Sequence, residues 1–353
     1  MMAQKNTKNV LVTGNSGYIG SVLTPILLDL GYSVTGYDTG FYGDECLLSK
    51  NEPPEFKQIT KDLRDVAKED LTDIDAVIHL ASLSNDPLGE FEPNITKDIN
   101  LHATLKLADI AKSSGVKRFI YASSQSMYGI SDTEEELDED NSSKNPVTSY
   151  AKTKWEAELG LKEMCSDLFS VVCFRPSTVF GASPKLRCDI VFNNLVASAY
   201  VTGRIEIKSD GTPWRPVVHI KDVSNAFIAG LRAPRELIHN QSFNVGIEDG
   251  NYTVGQLAEA AQKAVKGSTL AFTGEHGSDS RTYRVSFEKI LTMLKDYYKP
   301  QWNLAKGGRE LVEFFKKINL TKEDFIGRKC VRLINLKQLI KGDKLNSQLR
   351  WIQ

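Results

Sequence analysis

From Val10 to Phe174, short runs of β-branched and aromatic residues alternate with longer stretches whose apolar positions recur at helical spacing. The runs predict strands at Val10–Thr13, Ser33–Tyr37, Phe56–Thr60, Ala76–Leu80, Phe119–Ala122 and Val171–Phe174. Between them the spacing predicts helices over Tyr18–Leu30, Ile95–Ser113 and Tyr150–Cys165. In the second of these, Ile99, Leu101, Leu105, Leu107, Ala108 and Ile110 fall largely on one side, and Gly115 supplies a stop. Strict alternation of this kind predicts an α/β fold, a Rossmann-type doubly wound parallel sheet built from βαβ units. After Gly181 the alternation weakens, and from Asn251 onward the chain reads as helices and irregular connections, which marks a second domain. Asp132–Asp140 carries seven acidic residues in nine and reads as a solvated loop.

Composition narrows the picture. At 353 residues the chain is longer than the usual single domain of roughly 100–150. With 44 Lys+Arg against 45 Asp+Glu, it lacks the bulk charge of a nucleic-acid or acidic-membrane binder. Cys46, Cys165, Cys173, Cys188 and Cys330 are odd in number and form no CxxC pair, which argues against a disulfide framework and against a zinc ribbon. The polar, basic stretch before Val10 has no signal-peptide core, and nowhere do about 18 apolar residues run together. A soluble cytoplasmic protein is the expectation.

The first predicted strand leads into Gly14-Asn15-Ser16-Gly17-Tyr18-Ile19-Gly20 and then an apolar helix. A dinucleotide pyrophosphate needs exposed backbone N–H groups at a helix N-terminus, and side chains there would hold it away. Glycines at these three positions permit a tight turn, a close approach and helix packing. The spacing is GxxGxxG, and its context of strand, turn, helix and an acid closing the second strand, Asp38, points to a dinucleotide. A carboxylate at Asp38 suits ribose hydroxyls and repels a 2′-phosphate; no Arg or Lys follows it within several residues, so NAD is favoured over NADP.

Tyr150 and Lys154 lie four residues apart, on one face of a helix. A phenol titrates near pH 10, too high for proton exchange at neutral pH, and a neighbouring ammonium together with a nicotinamide cation would bring it down. Tyr121–Gly129 places an apolar strand ahead of a hydroxyl cluster, Ser123, Ser124 and Ser126, before that helix. A serine at the strand end would hydrogen-bond the same substrate oxygen as the tyrosine.

In this order of motifs the chain resembles the extended short-chain dehydrogenase/reductases of the nucleotide-sugar epimerase/dehydratase group, from about Asn9 into the C-terminal region. The resemblance implies that Gly14, Ser16, Gly17, Tyr18, Ile19 and Gly20 hold the NAD pyrophosphate, and that Asp62 and Leu63 lie by the adenine. Leu80, Ala81, Ser82, Asn100, Pro176 and Thr178 would stand beside the same cofactor. It makes Ser124, Tyr150 and Lys154 catalytic, with Tyr150 and Lys154, the ribose-binding lysine, also at the cofactor and Ser124 also at the substrate. Asn194, Arg215 and Arg281, with Arg284 as a second phosphate contact, would grip a nucleotide-diphosphate sugar; Arg215 offers a planar fork of donors. Phe243–Gly246 would return the chain to the sheet edge. It also implies a homodimer through helices, a cofactor domain over residues 1–181 and 213–248, and a smaller α/β substrate domain over 182–212 and 249–353.

Dehydratases of the group carry an Asp-Glu pair just after the catalytic hydroxyl residue, where this chain has Gln125 and Ser126. Neither exchanges protons at neutral pH, so elimination of water is not expected. NAD-dependent 4-epimerisation through a 4-keto sugar is the leading expectation. NAD(P)H-dependent 4-ketoreduction of a deoxysugar is the alternative, and a non-catalytic dinucleotide binder is disfavoured because Ser124, Tyr150 and Lys154 are all present. The five histidines show no metal-ligand spacing and are expected to be structural or exposed, with no metal.

Overall fold

The computed structural model describes residues 7–43, 55–130, 135–274 and 282–352. Its centre is a seven-stranded parallel sheet of β1 (Asn9–Thr13), β2 (Ser33–Asp38), β3 (Lys57–Thr60), β4 (Ala76–His79), β5 (Arg118–Ala122), β6 (Ser170–Pro176) and β7 (Gln241–Val245). The strand order is β7-β6-β5-β4-β1-β2-β3, and every pairing is parallel. The six strands expected from the hydrophobic runs are all present, and the Phe243 segment supplies the seventh as the edge partner of β6.

Because side chains alternate along a strand, each strand feeds two cores. Val10, Val12, Ile78, Ile120 and Phe174 face one side, and Leu11, Val77, Phe119, Tyr121 and Cys173 face the other. Helices α1 (Gly20–Asp29), α2 (Ala103–Ser113), α3 (Ser149–Glu163), α4 (Val191–Thr202), α5 (Ile220–Arg232), α6 (Val254–Ala264), α7 (Leu304–Ile318) and α8 (Arg332–Lys341) complete the frame. The first core takes α1 and α5, and the second takes α2 and α3.

The helix expected over Ile95–Ser113 is interrupted by a π-helical turn at Asp98–His102. The wider turn carries Asn100 inward, where its side chain accepts from the Leu83 N–H at 2.9 Å and donates to the Leu83 carbonyl at 3.1 Å. Such turns interrupt helices most often where a side chain must be aimed.

A third core joins Phe180, Phe192, Leu195 and Val217 to α6 and α7 through Leu257, Leu311 and Phe315. Later parts of the chain also pack elsewhere: Phe287, Ile290 and Leu294 lie in the first core of the large sheet, and Leu336, Leu345 and Leu349 pack on Phe41, Leu83 and Ile99. The acidic run departs from a solvated loop over its described part. Glu136–Leu137 pairs with Arg284–Val285 as a short parallel ladder. Glu139 is buried and accepts the Asn244 N–H at 2.6 Å, because β7 ends beside it and needs an acceptor. No described helix is long and apolar enough to cross a membrane.

Candidate active site

The chain leaves β1 for β2 and β3 on one side, then returns to β4 on the other, so the strand order reverses between β1 and β4. Crevices at such switch points, beyond the C-terminal strand ends, are where α/β sheets bind ligands. Here the crevice opens into a cavity of about 650 Å³. Thr13 Oγ1 and His79 Nδ1 meet at 2.6 Å across the two strand ends, and His79 Nε2 meets Thr104 Oγ1 of α2 at 2.7 Å. Burial, with Lys154 nearby, takes the His79 pKa down to about 3, so the ring is a neutral bridge between sheet and helix.

The three glycines of the turn serve different ends. Gly14 has φ +72°, and a Cβ there would fall 2.7 Å from the Ala81 nitrogen. A Cβ at Gly20 would lie 2.2 Å from the Gly14 carbonyl oxygen, so this glycine packs the helix onto the turn. At Gly17 a Cβ would meet only that same oxygen, at 3.1 Å, with open space otherwise. Gly17 therefore keeps the crevice clear. The N–H groups of Tyr18 and Ile19 meet no acceptor among the described residues and stand at the N-terminus of α1, where an anion is favoured. These features fit a dinucleotide pyrophosphate. Ser16 does not line the cavity; its N–H donates to Asp38 at 3.2 Å. Asp38 also accepts the Gly40 N–H at 2.8 Å, yet burial still raises its pKa. Asp62, Leu63, Leu80, Ala81 and Ser82 line the same cavity, whereas Asn100 acts from behind through Leu83.

The opposite wall comes from the end of β5 and from α3. Thr148 caps α3, accepting the Ala151 N–H at 3.2 Å, and so fixes where Tyr150 enters the cavity. Burial pushes the Tyr150 phenol up to about 12; a hydrogen bond from Ser124 and the charge of Arg187 pull the other way, while Asp86 adds to the rise. In the ligand-free protein burial outweighs the groups that pull the phenol down. Lys154 Nζ is 6.0 Å from the centre of the Tyr150 ring and donates to the Ala122 carbonyl at 2.8 Å. Burial takes its own pKa down to about 7, so much of its charge is lost near neutrality.

Ser124 is held by its neighbour. Both the N–H and the hydroxyl of Ser126 donate to Ser124 Oγ, at 3.1 and 2.9 Å. That fills the acceptor side of Ser124 Oγ and leaves its own proton to donate elsewhere. Gln125 is buried, and its Nε2 donates to the Arg175 carbonyl at 3.0 Å. Behind this turn, Arg175 pairs with Glu158 at 2.6 Å, and Glu158 also accepts from Ser123 and Ser242 at 2.6 Å each.

On the far side of Tyr150 the cavity is lined by Pro176, Thr178, Arg187, Asp189, Asn194, Arg215 and Tyr283. Arg187 is buried, and its fork is set by Asp189 at 2.9 and 3.0 Å and by Ser84 Oγ at 3.0 Å. Sequence reasoning missed Arg187 and Asp189: an Arg two residues before an Asp signals only a local ion pair, and the folding of loop 181–190 over the cavity has no sequence signature. Asn194 donates to the Cys188 carbonyl at 2.8 Å. Arg284 does not line the cavity; it pairs with Glu136 at 2.7 Å and stacks over Trp214 at 5.0 Å. Arg281 and Cys46 lie outside the described residues. Tyr18 ties the glycine turn to this side, donating from its hydroxyl to the Gly181 carbonyl at 2.7 Å.

Comparison with known proteins agrees with this geometry. The model of the NAD dependent epimerase/dehydratase family matches residues 10–246. The UDP-glucose 4-epimerase of Mycolicibacterium smegmatis is 29% identical over 325 residues, covering 87% of this chain and 98% of that protein. The UDP-glucuronate 4-epimerase of Thermodesulfobacterium geofontis is 27% identical over 319 residues, covering 87% and 95%. Among solved structures, MoeE5 in complex with UDP-glucose and NAD has a TM-score of 0.74 at 25% identity, covering 88% of this chain and 100% of that one.

Proposed function

Because the chain belongs to the NAD-dependent epimerase/dehydratase family, we propose that it is a nucleotide-sugar 4-epimerase that binds NAD in the glycine-turn crevice. Its sugar nucleotide would lie beyond Tyr150. The observation that carries this reading is the single wall holding Tyr150, Ser124 and Lys154, with Gln125 and Ser126 in place of an acid pair beside it. Asp38 and the paired Ser16 N–H would hold the adenosine ribose, the Gly17–Gly20 turn the pyrophosphate, and Tyr150 with Lys154 the nicotinamide half. NAD, when bound, supplies a reversible acceptor for hydride from C4 of the sugar.

The protein's own part is proton handling. Tyr150 Oη takes the proton of the sugar 4-hydroxyl as C4 becomes a carbonyl, and returns it when the other epimer forms. Ser124, its acceptor positions taken by Ser126, donates to the same sugar oxygen and holds it in line. With the phenol up to about 12 in the ligand-free protein, Tyr150 is protonated there; to act as this base it must first release its own proton to solvent, which the positive charge that NAD would bring favours. Arg215, Asn194 and Arg187 would receive the diphosphate and sugar. The names of the relatives make a UDP-hexose the first substrate to test. The reading includes a cytosolic homodimer, with α2 and α3 as the face it uses; Leu159 of α3 is 43% exposed.

Tyr150→Phe tests the assignment. Cofactor binding is expected to persist while turnover falls by about 10²–10⁴-fold; unchanged turnover rejects the role of Tyr150. NAD that survives desalting, with turnover needing no added coenzyme, supports epimerisation. Stoichiometric NAD(P)H consumption with a 4-keto sugar would reject it in favour of reduction.

A further inference from the structure

The loop that follows Asp38 is held from the far end of the chain. Its carbonyls are taken one after another by distant side chains: Thr39 by Trp351 Nε1 at 2.6 Å, Phe41 by Asn335 Nδ2 at 2.8 Å, and Tyr42 and Gly43 by Lys185 Nζ at 2.6 Å each. Lys185 is itself fixed by Arg332, whose Nη2 donates to the Lys185 carbonyl at 2.6 Å and whose guanidinium lies 4.1 Å over the Tyr42 ring. Phe41 is buried against Leu336, Leu345 and Leu349. The other lip of the crevice is bound by the same segment. Arg64 donates to the Gln348 and Leu349 carbonyls at 2.9 and 3.3 Å, and Arg350 pairs with Asp62 and Asp65.

Phe41, Tyr42, Asp62, Leu63 and Arg332 all line the cavity at its Asp38 end. The segment that joins the two lips lies outside residues 10–246, the stretch that the family model matches. We infer that residues 330–352 complete the adenosine subsite: Arg332 forms part of its wall, and Trp351 and Asn335 are positioning residues that fix the loop following Asp38. This rests on the reading that the crevice binds NAD. Loop carbonyls bonded to fixed side chains lose little further freedom when a ligand arrives, so the segment is preorganisation for the adenosine half of the cofactor.

The test uses full-length protein stripped of nucleotide, titrated calorimetrically with NAD, ADP-ribose and UDP. Trp351 does not line the cavity, so Trp351→Ala reports positioning alone, and Arg332→Gln reports the wall. Each variant is expected to bind NAD and ADP-ribose at least about 10-fold more weakly than wild type, with UDP affinity within about 2-fold. NAD affinity within about 2-fold of wild type in both variants overturns the inference, as does an equal loss for UDP, which would mark general loosening of the fold. A wild-type protein that fails to bind NAD while binding UDP overturns the cofactor reading itself, and this inference with it.

Discussion

Two buried cations, Arg175 on β6 and Lys154 on the helix that covers it, stand at and behind the cavity wall, and they are treated in opposite ways. Arg175 is 2% exposed and fully answered: Glu158 takes its fork, Tyr128 Oη accepts from its Nη1 at 3.0 Å, and its pKa is raised in spite of burial. Lys154 is 3% exposed; it donates to a neutral carbonyl and lies 4.9 Å from the centre of the Tyr121 ring, with no carboxylate paired to it among the described residues, and burial lowers its pKa to about 7. Both belong to one helix and the strand it covers, since Glu158 lies one turn beyond Lys154 on α3. Burial is the same for the two; the partner differs. A compensated charge holds structure, and an uncompensated one held at a stability cost marks where a ligand is expected.

The largest test of that contrast breaks the compensated side. Glu158→Gln removes the carboxylate that is hydrogen-bonded to Arg175 and leaves a buried guanidinium without its ion pair. The expected loss is about 3–5 kcal/mol of unfolding free energy, measured by urea denaturation at pH 7. Burial opposes the ionised form of Glu158, but Arg175, Ser123 and Ser242 together hold its pKa below the usual carboxylate value. Its contribution is thus full above about pH 4.3 and is lost as pH falls through the folded value, so wild type and variant should converge in acid. A loss under about 1 kcal/mol at pH 7 would break the comparison.

The uncompensated side should answer with the opposite sign. Lys154→Met removes a charge that the ligand-free fold holds at a cost of about 5 kcal/mol and strands the Ala122 carbonyl at about 1–3 kcal/mol, so it should stabilise the apoprotein by about 2–3 kcal/mol below pH 7. Between about pH 7 and 10 the unfolded chain carries more protons at this site than the native one, so wild-type stability rises with pH and the advantage of the variant fades. Turnover and NAD binding should fall at every pH. A variant less stable than wild type at pH 6 would show that Lys154 is a structural ion in its own right.

Much of this arrangement was legible before the fold was known. Periodicity located the strands because each feeds two cores, and the GxxGxxG, Asp38 and YxxxK spacings are local, so the residues they name fall on one crevice. What the sequence hid is what distant segments bring. No local feature ties Glu158 to Arg175 or to Ser242, 84 residues further on. The absence of a basic residue soon after Asp38 concealed the approach of Lys185 and Arg332 to it. The run Asp132–Asp140 looked solvated because composition cannot show that Glu139 would meet the end of β7. The position of Lys154 was hidden for a related reason: four residues of helix set it and Tyr150 on one face, and the Ala122 carbonyl decides where the ammonium points.

The finest test asks how the compensation of Glu158 is shared. Its two oxygens accept from Arg175, from Ser123 beside the Ser124 turn and from Ser242 on β7. Ser242→Ala removes one neutral donor and leaves the ion pair, so the expected cost is about 1 kcal/mol. Ser242 stands on the edge strand, away from the Ser124 turn, and its loss should leave kcat and KM within about 2-fold. Ser123→Ala removes an equivalent donor at the same distance, but from the residue that precedes Ser124. If the network only supports the sheet, the two variants should match in both stability and kcat. If it also sets the Ser124 turn, they should match in stability while Ser123→Ala alone lowers kcat, and equal kcat values would confine Glu158 and Arg175 to the fold.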